Sequence, residues 1–175
     1  MKSIRVLTLV LLAISIADAL DGQDTREPDA PTVATASDEA KQQLGNFRLP
    51  PGWIGELWGA EPLVANPVAL TIDRDGRIFV CETFRQEQGV TDNRSHDENW
   101  IDHDLAAQSV SDRIAYHRLL LPNQGVDYTR QDDRVRLLID SDGNGQADIA
   151  KVFANRFNAI EDGSMAGVLV DGAFV

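Results

Sequence analysis

Cysteine is almost absent: Cys81 is the only one in 175 residues. That excludes a disulfide framework, a Cys-rich zinc or iron–sulfur centre, and covalent haem attachment, which needs C-x-x-C-H within the same chain. Positive charge is also scarce. Sixteen Lys and Arg stand against 28 Asp and Glu, a formal net charge of −12. Nucleic acid and anionic membrane surfaces select for clustered Lys and Arg, so neither is an expected partner. Histidines number three: His96, His103 and His117. There is no Gly-rich phosphate loop, no G-x-S-x-G and no H-E-x-x-H. The 43% apolar content is ordinary for a folded domain and speaks against wholesale disorder.

One apolar run stands out, at the N-terminus. Lys2 and Arg5 precede an apolar stretch from Val6 to Ala17, and Ala17-Asp18-Ala19 offers small residues at a signal-peptidase spacing. The run is shorter than the roughly 20 residues of a spanning helix. Residues 1–19 are therefore expected to be a cleaved signal peptide, the chain to be exported to the periplasm or beyond, and no membrane span to remain. Loss of Lys2, Arg5 and Asp18 would leave a charge of −13. Residues 20–46 read as a flexible linker, with a short helix over SDEAKQQLG started by Ser37.

From Phe47 the texture becomes that of a β protein. Trp53 and Trp58 are expected packing anchors. Val68–Ile72 and Arg77–Glu82 flank Asp73-Arg74-Asp75-Gly76, a strong hairpin signal. Ile78 and Val80 would face one side of the second strand, Phe79 and Cys81 the other. Both faces are apolar, so that strand is expected to be sandwiched, with Cys81 a buried small hydrophobe. A polar excursion over residues 86–99 precedes one helix, DLAAQSVSDRIAYHRLLL, capped by Asp102 or Asp104 and ended by Pro122. Its expected buried stripe is Ala107, Val110, Ile114 and Leu121. His103 and His117 are expected to be solvated, and His96 is a weak candidate base within the excursion. Arg134–Ile139 and Ile149–Phe153 form a second hairpin, and Gly167–Val170 begins a third.

The loop of the second hairpin, DSDGNGQAD, carries the sharpest chemical signal. Asp140, Asp142, Asn144 and Asp148 occupy positions one, three, five and nine, Gly145 supplies the turn, and the carbonyl of Gln146 stands at seven. Alternating oxygen ligands in a curled loop suit a hard cation, and calcium more than magnesium. Position twelve is Lys151 rather than a bidentate Glu, and the flanks are strands rather than helices. The alternative is an Asp/Gly turn with no ion.

Four stretches together, FRLPPGWIGELWGAEPLVANPVALTIDRDGRIFVCETFRQ, DNRSHDENWIDHDLAAQSVSDRIAYHR, VRLLIDSDGNGQAD and FNAIEDGSMAGVL, resemble the start of the sorbosone/glucose dehydrogenase-like β-propellers. They are also similar to planctomycete-type exported haem-binding, membrane-bound dehydrogenase proteins. The resemblance implies a mainly β fold over residues 47–175: an incomplete propeller of about two blades and the start of a third, with one inserted helix, truncated at its C-terminus. A blade takes about 40 residues in familiar repeats and a ring needs at least about four blades, more than 129 residues can supply. It further implies quinone-dependent (PQQ-type) oxidation of a sugar alcohol or aldehyde, with electrons passed to a haem c. The partners would be the rest of the propeller and a cytochrome c domain, and the chain alone would be inactive. No catalytic or PQQ-binding residue can be carried over; Arg85 and His96 remain unassigned polar candidates. The rival reading is a non-catalytic, calcium-stabilised propeller module that binds polysaccharide or a protein.

Overall fold

The computed structural model describes residues 27–86, 88–91, 98–172 and 174–175. The expected signal peptide and His96 lie outside these. A short helix α1 (Glu39–Leu44) is followed by β1 (Pro67–Ile72) and β2 (Ile78–Glu82), then α2 (Glu98–Ala106) and α3 (Val110–Leu120). Turns of 3₁₀ type over Pro122–Thr129 lead into β3 (Asp133–Ile139) and β4 (Ile149–Phe157).

The four strands form one antiparallel sheet in the order β1-β2-β3-β4. Its first turn is held by Asp73, whose carboxylate accepts the amide N–H groups of Asp75 and Arg77, both at 2.9 Å. Gly76 completes that turn at φ 77°, a backbone state that glycine adopts without steric penalty. Register then follows from the apolar pattern: Leu70 pairs with Val80 and Ile72 with Ile78, while Ile78 also pairs with Leu138. Pro67, which has no N–H to give a ladder, sits at the start of the edge strand beside a bulge.

β2 is buried on both faces, as its sequence requires. On one face Val80, Leu138 and Ala147 make the core, with Trp58, Leu63, Val64, Ile78 and Ala150 packed around them. The segment carrying Trp58–Ala65 is fastened across this face. The Ala147 N–H donates to the Trp58 carbonyl at 2.7 Å, and Arg136 donates to the Leu63 carbonyl at 3.0 Å. On the other face the Phe79 ring meets Phe153 edge-on at 5.0 Å. Cys81 is fully buried, and burial raises its thiol pKa.

Several expectations are corrected. The two hairpins do not found two blades: β2 pairs directly with β3, which makes a single sheet. Gly167–Val170 forms no strand, and beyond it only an isolated bridge joins Asp171 and Phe174. The inserted helix is two helices. Ser109 breaks the run and caps α3: its hydroxyl accepts the Asp112 N–H at 3.2 Å, and the Asp112 carboxylate takes the Ser109 hydroxyl at 2.9 Å and the Gln108 N–H at 3.0 Å. This is a reciprocal cap of S-x-x-D form. Neither Asp102 nor Asp104 caps a helix, because both lie inside α2. Trp53 is 72% exposed and anchors nothing, whereas Trp58 packs on the core. The start of α3 also changes which face it buries. Leu121 is buried as expected, but Val110 is exposed, and Tyr116 and His117 are buried in its place.

Candidate functional site

The Asp140–Asp148 loop spans the β3–β4 connection at the predicted positions. Its carboxylates are turned toward the loop's own backbone. Asp140 accepts the N–H groups of Gly143 (2.8 Å), Asn144 (3.2 Å) and Gly145 (2.9 Å). These bonds hold its carboxyl pKa below the usual carboxylate range. Asp142 accepts from the Asn144 N–H at 3.1 Å, and the Asn144 side-chain oxygen accepts the Gln146 N–H at 2.9 Å. Asp148 takes the Ser141 N–H and hydroxyl at 3.1 and 2.7 Å. Among the described residues no three His, Cys, Asp or Glu side chains converge on a common point. The arrangement is a series of side-chain-to-backbone turns. Asp140 Oδ1 accepts two of these N–H groups, and the set is not gathered as a cation cage.

The opposite end of the sheet carries charges that the sequence reading left unassigned. Glu82, Arg85 and Asp133 are fully buried. Glu82 accepts the Ala65 N–H at 2.7 Å and pairs with Arg134 at 2.5 Å. Asp133 accepts the Phe84 and Arg85 N–H groups at 2.8 and 3.1 Å, the Thr83 hydroxyl at 3.0 Å and the Met165 N–H at 2.7 Å. The Arg85 guanidinium reaches six carbonyls. Nη1 faces those of Phe157, Asp162 and Gly163, and Nη2 those of Gly89, Tyr128 and Ala159, all between 2.7 and 3.3 Å. Its Nε is buried without a partner. Burial lowers the Arg85 pKa, while the nearby Asp162, Asp133, Asp132 and Glu161 oppose that shift. This arginine organises backbone: it is a clamp between the three loops that carry those carbonyls.

A cavity of about 200 Å³ lies beside that clamp, where α2 and α3 meet the loops around residues 89–91 and 160–164. Its wall is built by an aromatic cluster. Trp100 of α2 meets Tyr116 of α3 edge-on at 5.5 Å, and Leu121 packs with them. The expectation of a solvated His117 is wrong: it is 2% exposed, stacked on Tyr116 at 4.6 Å and edge-on to Trp100 at 5.5 Å. Its Nδ1 lies 2.9 Å from the Arg113 carbonyl, a contact that places the proton on Nδ1. Burial lowers its pKa, so the ring is neutral at pH 7 and Nε2 is an acceptor. His103 is half-buried and stacks over Tyr116 at 6.5 Å. The Tyr116 hydroxyl donates to Asp104 at 2.5 Å, and burial together with that bond pushes its pKa up to about 12. The sequence signal for this cluster was the spacing Trp100, Tyr116, Leu121 around the S-x-x-D cap, which sets the phase of α3.

These features define a mainly β domain, built on one open four-stranded antiparallel sheet with a small helical layer. The chain belongs to the DUF7133 family, a domain of unknown function, whose model matches residues 39–174. That match begins at the first residue of α1. No curated protein and no solved structure matches the chain. No helix among the described residues is long and apolar enough to cross a membrane.

Proposed function

We propose that the sheet is one blade of a propeller-type domain in an exported, dehydrogenase-like protein. The observation that supports this is the meander itself: four consecutive antiparallel strands, the make-up of a propeller blade, with apolar side chains left open on both outer strands. Val68, Leu70 and Ile72 are 46–60% exposed on β1, and Val152, Phe153 and Phe157 are 37–49% exposed on β4. An uncovered apolar edge of this kind calls for a neighbouring sheet. On this reading the domain is completed by further blades and works with a cytochrome c partner. Its reaction is PQQ-dependent oxidation of a sugar alcohol or aldehyde, with the electrons leaving through haem c. This chain's part is scaffold, because Arg85 and the charges around it are committed to backbone. The Asp140–Asp148 loop is proposed to take calcium once its carboxylates swing from their N–H donors, a role that stabilises the blade edge.

The test is dye reduction by the intact exported protein, reconstituted with PQQ and calcium and assayed over a panel of sugars. Sugar-dependent reduction, lost on chelation and restored by calcium, is the expected result. A folded, quinone-loaded protein that oxidises none of the panel would leave the non-catalytic binding module as the better description.

A further inference from the structure

We infer that the cavity between α2, α3 and the 160–164 loop binds a small zwitterion, an ammonium and a carboxylate separated by one or two carbons, of the α-amino-acid class. The inference does not rest on the propeller reading. Three polar groups carry it. The first is His117, itself buried, whose Nδ1 is committed to the Arg113 carbonyl and whose Nε2 has no partner among the described residues. A neutral imidazole nitrogen asks its ligand for a hydrogen-bond donor. The second is Asp104, on the same wall, which gives one oxygen to Tyr116 and keeps the other free. The third is Arg113, also on that wall, whose guanidinium has no hydrogen bond or ion pair with a described residue.

Opposite charges that line one small cavity ordinarily pair with each other. Here no ion pair joins Arg113 and Asp104. A ligand of a single sign would be repelled by one of them, and a neutral ligand would leave both charges without a counter-ion. A zwitterion answers both: its ammonium, with three N–H donors, meets Asp104 and His117 Nε2, and its carboxylate meets the planar donor fork of Arg113. The volume agrees. About 200 Å³ holds roughly seven water-sized atoms, the size of a small amino acid. Trp100 and Tyr128 wall the cavity and favour a ligand with little side chain.

The test is isothermal titration of the full chain with L-serine, and in parallel with glycerol, acetate and methylammonium. Serine should bind saturably, with each partial ligand at least about tenfold weaker. Arg113→Gln and Asp104→Asn should each weaken serine by about tenfold or more. Both positions are exposed, and the amide introduced by Asp104→Asn still offers the Tyr116 hydroxyl an acceptor, so the fold is retained; circular dichroism checks this. Arg74→Gln, on a distant turn, should bind as the parent does. Absence of saturable serine binding overturns the inference. So does a partial ligand that binds as well as serine, or unchanged affinity in both cavity variants.

Discussion

The two ends of the sheet solve the same problem in opposite ways. At the turn end, Asp73 and the Asp140–Asp148 loop hold their acceptors against N–H groups two to seven residues away. At the other end, Glu82, Arg85 and Asp133 are sealed from solvent and bond to groups as far as 17 to 78 residues away. Local turns form in any chain that bends there, so each is worth little to the fold. Buried charges that bridge distant segments are costly to desolvate and costlier to leave unpaired. The stability of the domain is therefore set at the Arg85 end, while the turn end is free to change its partners.

Substitutions at the two ends should separate them clearly. Arg85→Ala should have the largest effect. It strands six carbonyls and leaves Asp133 and Asp162 without a nearby cation, for a loss of about 3–5 kcal/mol in urea unfolding at low protein concentration. Arg85→Lys should recover only part of this, since an ammonium cannot span both rows of carbonyls. Next comes Gly125→Ala. Gly125 sits at φ 77°, and an added Cβ would collide with the Ile160 side chain, so a loss of about 1–3 kcal/mol is expected by the same assay. It would also shift the wall of the cavity.

Acid should act on the helical layer before the sheet. His117 has a folded pKa below its unfolded value because burial disfavours the charged ring. Below about pH 6.5 the unfolded chain then binds more protons than the folded one, so stability is complete above that pH and declines as pH falls through it. Thermal melts from pH 8 to pH 5 should show this decline, and His117→Phe should flatten it. The outer face offers another check. With Leu70 60% exposed on an edge strand, the chain should self-associate with rising concentration in sedimentation, and Leu70→Lys should reduce this. The smallest effect belongs to the turn end. Asp140→Ala should leave the urea midpoint almost unmoved without calcium, because its carboxylate bonds only to nearby loop N–H groups. With millimolar calcium the parent should melt higher and Asp142→Ala should not respond; identical melts of the parent with and without calcium would remove the ion from the account.

Much of the sheet was legible in the sequence. Asp-Gly between β-rich runs located the first hairpin, and the two apolar faces of Ile78–Cys81 announced a strand buried on both sides. The nine-residue loop was visible from its alternating acids. What could not be read was the pairing of β2 with β3, because a polar excursion and two helices separate them and strand register across such a distance leaves no local pattern. The same distance hid Arg85. One arginine after an apolar strand looks like any solvated strand end until its carbonyl partners, 4 to 78 positions away, are brought to it. His117 was misjudged for a local reason: with the helix started at Asp102 or Asp104 it falls on the outer flank. Starting at the Ser109 cap turns it inward beside Trp100.

Urea unfolding of Arg85→Ala and Asp140→Ala under one set of conditions decides whether the two ends differ as described. A loss several times larger for Arg85→Ala is expected. Equal losses, or a larger one for Asp140→Ala, would contradict the claim that the buried charges at one end of the sheet hold the domain together.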